Sequence, residues 1–478
     1  MSFLKSTILL ALLFPFVSSA QYDDKRVAEL IRNGSESELV MESSIMIQEG
    51  YFYQAGTIVD KLLELQPASS NYNYRRGFIY LEMSSDFVKA QPYLEKAVLK
   101  TDKKYDPFNA KETAAPVDAY FELGKCYHMA GNISKAEELY NKFLESSITK
   151  SNNVFFAKLF LEQCKVAKTE MANPKNVYLK NMGSSVNTKN PEYSPVISLD
   201  GSALYFTSRR RWPTGASDKG LDPRNNQYPE DIYVSYRDFD STWMDPIKLE
   251  FCDSLQNEAT LAVSPDERRV YAYMDTQGNG DIFYSDFSTN KFQVVTHLDN
   301  KKINTNDWET HATVTPDGKT MYFVSNRKGG YGGRDIYSCV KQKDGSWGDP
   351  VNLGPNINGP MDEESPFVSI DNSTLYFSTN GNRSMGGFDI FMSSIDSKGQ
   401  WGPSKNLGYP INSTCDDVFY TTTVDGLTGY MTSLRVDGKG EKDIYEIKNN
   451  YLGVKNVAVL NGKINVIGGK PLPEDVSI

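Results

Sequence analysis

The chain has 478 residues, 51 basic against 61 acidic side chains, and a formal net charge of −10. That acidic balance sets aside a nucleic-acid partner, which needs a basic face. Five cysteines, an odd and sparse number for an exported chain, do not make a disulfide framework.

Residues 1–20 read as a secretory signal peptide. Lys5 supplies the positive start, Ile8 to Val17 a short apolar run, and Ser18, Ser19 and Ala20 a small-residue cleavage site. The run is too short to span a membrane. The cleavage region has no Cys to carry a lipid, and no later stretch is apolar enough to cross a bilayer. The expectation is an exported chain with no transmembrane span.

Residues 21–173 read as helical. Within 117–150, Tyr120, Leu123, Gly124, Tyr127, Ala136, Tyr140 and Phe143 follow a repeat in which small residues let paired helices approach. This resembles the tetratricopeptide pattern. Weaker copies cover about 70–104 (Gly77, Tyr80, Ala90, Leu94, Ala97) and 36–69 (Met46, Ala55, Val59, Leu62, Pro67). Val154 to Ala172 reads as a closing helix, and Asn173-Pro174 as a boundary. The family register places Asn71, Tyr74, Phe78, Phe121, Lys125 and His128 on a concave face, as candidates for partner binding.

Residues 174–452 carry the strongest signal. Asp-Ile-Tyr/Phe recurs at Asp231, Asp281, Asp335, Asp389 and Asp443, a period of roughly 50 residues. Each copy has an upstream turn centred on Asp200, Asp266, Asp317, Asp371 or Asp425, then an aromatic strand, a polar loop that is often glycine-rich, and the Asp-Ile-Tyr/Phe strand. Three copies continue to Trp243, Trp347 and Trp401. Four short strands per period fit a propeller blade, so five copies predict a five-bladed β-propeller. Ring closure needs a borrowed strand, and Asn176 to Lys180 is expected as the outer strand of blade five. Ser264-Pro265-Asp266 and Thr315-Pro316-Asp317-Gly318 resemble the WD40-like, TolB-type propeller repeat. Blades one and four lack the Pro, and blade five is the most degenerate copy.

Residues 453–478, with Gly462-Lys463-Ile464 and Gly468-Gly469-Lys470-Pro471-Leu472, resemble the opening of a carboxypeptidase-regulatory-like β-sandwich. So short a piece cannot bury a core, and the chain is expected to be a fragment rather than to use this tail as an edge strand.

The chemistry-bearing residues are few. At one register before each turn Asp stand Glu192, Glu258, Glu309, Glu363 and Asp417. In a propeller they form a ring near the axis. It is either a cation or basic-peptide site at the channel mouth, or a set of carboxylates bonded to loop N–H groups or a neighbouring blade's Arg; five unpaired carboxylates together would raise one another's pKa. No cofactor is expected, with a cation in the channel left open. Blade one has a long loop carrying Arg209, Arg210, Arg211 and Trp212, residue types favoured at interfaces; it is either a partner site or a solvated tip. Only three histidines occur, and no Gly-x-Ser-x-Gly elbow, Cys-x-x-Cys pattern or phosphate loop. His311 is expected as a packed core residue. Cys126 and Cys164 either pair or, with the other three, are small buried residues. A catalytic carboxylate pair, as in five-bladed glycosidases, should break the repeat symmetry, so the chain is expected not to be an enzyme.

The order of helical repeats, TolB-like propeller and sandwich opening resembles a family of Bacteroidetes envelope proteins that usually end in an OmpA-type peptidoglycan-binding domain, and among them the periplasmic component of the type IX secretion and gliding machinery. That resemblance implies a periplasmic, outer-membrane-associated scaffold that binds envelope proteins and reaches the cell wall through a domain missing from this chain. A TolB-like accessory protein using the propeller mouth, and a glycan-active propeller, are the alternatives.

Overall fold

The computed structural model describes residues 24–146, 151–211, 221–222, 224–252, 256–275, 279–298 and 300–449. The signal peptide, Trp212 and the sandwich opening at 453–478 lie outside the described residues.

Eight helices come first: α1 (Asp24–Asn33), α2 (Glu36–Glu49), α3 (Phe52–Leu65), α4 (Ser70–Ser84), α5 (Phe87–Ala97), α6 (Asp118–Met129), α7 (Ile133–Ser146) and α8 (Asn153–Ala172). Local chemistry sets several ends. Ser35 and Glu38 form a reciprocal capping box on α2, and Gly50 closes it with φ 80°. Ser69 caps α4 and Asp86 caps α5. Consecutive helices pack on one another. A Cβ on Gly124 would stand 2.6 Å from the Tyr140 ring, so only glycine lets α6 and α7 come this close. None of the helices among the described residues is long and apolar enough to cross a membrane.

Five antiparallel sheets follow. Their innermost strands are Glu192–Ile197, Glu258–Val263, Glu309–Val314, Glu363–Val368 and Asp417–Thr422. Each pairs outward with the aromatic strand, then the Asp-Ile-Tyr/Phe strand, then a short outer strand. Blade two carries two short outer pieces, Lys291–Phe292 and Thr296–His297. The ring closes as the sequence predicts. Val177–Asn181 lies antiparallel to Asp443–Asn449, with Asn181 opposite Tyr445, and supplies blade five's outer strand.

Every innermost strand is interrupted by a bulge just after its carboxylate. Ser194, His311, Ser365 and Phe419 sit at these bulges with φ between 38° and 58°. The strained backbone turns these side chains toward the axis. Trp243 and Trp401 pack edge-on against Tyr430 and Tyr322 of the preceding blades, at 6.2 and 6.1 Å between ring centroids.

The helices join the propeller at the end that carries the carboxylates. Met385, in blade four's glycine loop, is fully buried in the helical core together with Cys415 and Leu434. Met129 O of α6 accepts from Thr414 Oγ1 at 3.1 Å. Gln163 Nε2 of α8 donates to the carbonyls of Asn380 and Gly381, both at 3.0 Å.

Candidate functional site

The five carboxylates open the five innermost strands and are fully buried, at 0–1% exposure. Their partners repeat. Glu192 accepts from Thr188 N and Thr188 Oγ1, from Ser208 Oγ at 2.7 Å, and from Arg210 Nη2 at 3.4 Å. Glu309 does the same with Thr305, Ser325 and Arg327, and Asp417 with Ser413, Ser433 and Arg435. In each case the arginine belongs to the carboxylate's own blade, not a neighbour's. It lies over that blade's own aromatics, as Arg327 does 5.1 Å from the Phe323 ring and 5.0 Å from the Tyr337 ring.

Blade four departs from the pattern. Glu363 accepts from Gly359 N and Thr379 Oγ1, but Gly381 stands where blades one, three and five have arginine. Burial pushes the Glu363 carboxyl up to about 8, against the opposing pull of these two bonds, with Asp335 and Asp362 adding to the rise. Burial also raises Glu192 and Asp417, opposed by their hydrogen bonds and by Arg210 and Arg435. Blade four also meets the helices, through Gln163 and Met385.

A set of asparagines that the sequence reading missed ties the blades together. Asn304 Nδ2 donates to Ile282 O while its Oδ1 accepts from Ile282 N. Asn358, Asn412 and Asn187 clamp Ile336, Ile390 and Ile444 in the same two-way manner. In blade one the Ile232 N–H meets Cys252 Sγ instead, at 3.3 Å. The signal was present: Val186-Asn187, Ile303-Asn304, Ile357-Asn358 and Ile411-Asn412 stand at one fixed offset before the carboxylates. The repeated Asp faces the glycine loop. Asp335 accepts from the N–H groups of Tyr331 and Gly332 and from Asn352 Nδ2.

The remaining predicted residues scatter. Arg209 donates to Tyr228 O and pairs with Glu230 at 2.6 Å, and Arg210 belongs to the Glu192 cluster, so both are used inside blade one. Arg211 is exposed. Asn71 accepts from Tyr105 OH and donates to Glu112 O, and Tyr74 packs on Phe78 and Tyr105. The segment between α5 and α6 therefore covers the face on which these residues were expected to stand open. Arg75 anchors that segment from beneath, bonding Pro107 O and the hydroxyls of Ser43 and Ser44. Lys125 pairs with buried Glu122 at 2.7 Å. Phe121 stacks on Phe160. His128 Nε2 lies 2.8 Å from Met385 O, so it faces the propeller.

His311 differs from the packed core residue expected. It lines the channel, edge-on to Phe419 at 5.0 Å between ring centroids. Blades three and five are not neighbours, so this contact crosses the axis. All five cysteines are buried and free, which removes the Cys126–Cys164 pairing. Asp231, Cys252 and Glu258 each place a ligand atom within 4.8 Å of the others, the one group among the described residues with the reach to hold a metal ion.

Solved propellers share this architecture. A TolB candidate from Agrobacterium tumefaciens is similar at 17% identity over 55% of this chain and 78% of that one, TM-score 0.34. A β-1,2-mannobiose phosphorylase from Listeria innocua is similar at 10% identity, over 57% of this chain and 97% of that one, TM-score 0.39. An α-L-arabinofuranosidase from Lactobacillus brevis is similar at 12% identity, over 55% and 91%, TM-score 0.34. No family model matches the chain, and no curated protein matches it. At these identities the likeness concerns the fold alone. It nonetheless corrects one expectation. A chain that is not an enzyme was inferred from the regular repeat, and propellers of this shape include a phosphorylase and a glycosidase. A propeller repeat does not set catalysis aside.

Proposed function

We propose that this chain is an exported, protein-binding module of an outer-membrane-associated assembly, of the type IX secretion and gliding kind, working in the periplasm. The observation that carries the reading is the shared core at Met385, Cys415 and Leu434. It makes the junction of helices and propeller a packed interior rather than a linker, which suits a part that holds other proteins at fixed separation. Under this reading the helices are tetratricopeptide-like repeats, and envelope proteins are the partners. A region beyond this sequence supplies the contact with peptidoglycan. Arg209 and Arg210 are engaged within blade one.

The test is an affinity pull-down from crosslinked envelopes with the mature chain, read by mass spectrometry. Recovery of outer-membrane secretion or gliding components, crosslinked to helices or to blade one's loop, supports the proposal. Recovery of only soluble periplasmic proteins or glycan fragments overturns it, in favour of the accessory-binder or glycan-active reading.

A further inference from the structure

The central channel has two unlike ends. At the end facing the helices, Phe419 and His311 meet across the axis, and Tyr193 of the neighbouring blade one packs beside Phe419. Tyr193 stacks on Phe419 at 6.1 Å, and Phe419 meets His311 at 5.0 Å. Phe419 and His311 come from blades five and three and both line the cavity, so together they floor the channel. Above that floor lies a cavity of about 110 Å³. Its walls are apolar, with Val196, Leu261, Val314 and Phe367 among them. Its outer rim is one apolar residue per blade, each just before a turn Asp: Leu199, Pro265, Pro316, Ile370 and Val424.

The lower part of the cavity is polar and incompletely bonded. Ser365 Oγ, Thr421 Oγ1 and His311 Nδ1 have no hydrogen-bond partner among the described residues. Ser365 and Thr421 are only 6% and 3% exposed, and all three residues line the cavity. The register makes Ser365 informative. Ser194, its equivalent in blade one, donates to Thr260 O of the next blade. Ser365 makes no such bond. A buried hydroxyl left without a partner costs free energy, and convergent donors and acceptors at the base of an apolar pocket are how ligand sites fix orientation.

We infer that the channel is a blind pocket for a small uncharged molecule with an apolar body and one polar end, such as a short-chain alcohol or amide. Size limits the ligand: a dry cavity of roughly 150 Å³ holds benzene, so this one takes a group of a few heavy atoms. Charge limits it as well. No Asp, Glu, Lys or Arg is among the residues lining the cavity. Burial, with Arg334 and Lys442 behind the ring, holds His311 down at about 3, so it is neutral at ordinary pH. An ionised ligand would have to shed its hydration without a counter-charge. The inference is independent of the assembly proposed above.

The test is ligand-detected NMR titration of the full chain with 1-butanol, butyramide, butyrate and butylamine. The neutral pair should bind, and the charged pair should bind at least ten-fold more weakly. Thr421→Val, which keeps shape and removes the hydroxyl, and Ser365→Ala should each weaken butyramide about three- to ten-fold. Ala262→Phe, which fills the bore, should abolish binding while circular dichroism stays unchanged. Equal binding of charged and neutral probes, or unchanged affinity in both hydroxyl variants, would overturn the inference. So would a crystal structure grown with butyramide that shows only water on the three polar atoms.

Discussion

His128 Nε2 and Met385 O lie 2.8 Å apart, joining a helix to the tip of a propeller loop across more than half of the chain's sequence. The Met385 N–H donates to Asp389 Oδ2, so the first residue of the repeated tripeptide holds the loop that His128 reads. Gly386 allows the loop to fit: a Cβ there would stand 2.5 Å from Thr414 O. Met385 is fully buried. Met385→Ala should cost about 3 kcal/mol through lost burial and the cavity left behind. Hydrogen exchange should accelerate in α6 and α8 while the innermost strands of the propeller keep their protection. Uniform acceleration throughout would mean that the junction is not a separable contact.

Two carboxylates in one register should respond oppositely to neutralisation. Glu309 faces Arg327 at 3.1 Å in a buried cluster. Glu309→Gln leaves that guanidinium without its counter-charge and should destabilise by about 3 kcal/mol near neutral pH.

Glu363 has no such arginine, and its carboxyl is raised from 4.5 to about 8. The unfolded chain ionises this group above about 4.5, whereas the folded chain keeps its proton until about 8. Stability is therefore lost as pH rises through that window. Glu363→Gln should gain on the parent protein between about pH 5 and pH 8, by on the order of 2 kcal/mol. Denaturant titrations at both pH values check it; a difference independent of pH would refute the assignment.

The asparagine clamps should carry stability rather than function. Asn358→Ala strips one bond each from the buried backbone N–H and carbonyl of Ile336. The loss should be about 2–3 kcal/mol, read as a lower denaturation midpoint. Recovery with Asn358→Asp should be partial, because a carboxylate accepts from Ile336 N but cannot donate to Ile336 O.

The five thiols should be silent in the folded chain. Each is buried and free, and burial pushes Cys164 and Cys339 up to about 12. A thiol reagent at neutral pH should label none of them under native conditions and all five in denaturant. Fast native labelling of Cys415 would show that the helices leave the propeller readily, since its Sγ is held against Met129 O.

Much of the architecture was readable because it rests on local chemistry. Asp317 accepts from Thr315 Oγ1 and from Lys319 N within one turn. Asp200 and Asp425 repeat that pattern in their own turns. Such bonds need only neighbouring residues, so they leave a periodic trace. The predicted closing strand, Asn176 to Lys180, was legible for the same reason: it looks like the outer strands it joins. The asparagine clamps also left a trace, but their partner lies in the preceding blade, and only a register comparison across copies would have exposed it.

The site residues were less legible. Arg209 and Tyr74 look like exposed anchors in sequence, yet Glu230 and Tyr105 engage them. A side chain's type does not reveal whether its own fold already occupies it.

The five blades, the borrowed strand and the carboxylate register follow from strand period and turn chemistry, which act over a few residues and repeat. Tertiary structure alone decided that Met385 enters the helical core, that the segment before α6 covers Tyr74, and that His311 meets Phe419 across the axis. Those contacts join residues far apart in the chain, and their stability comes from burial and bonding that exist only in the folded molecule.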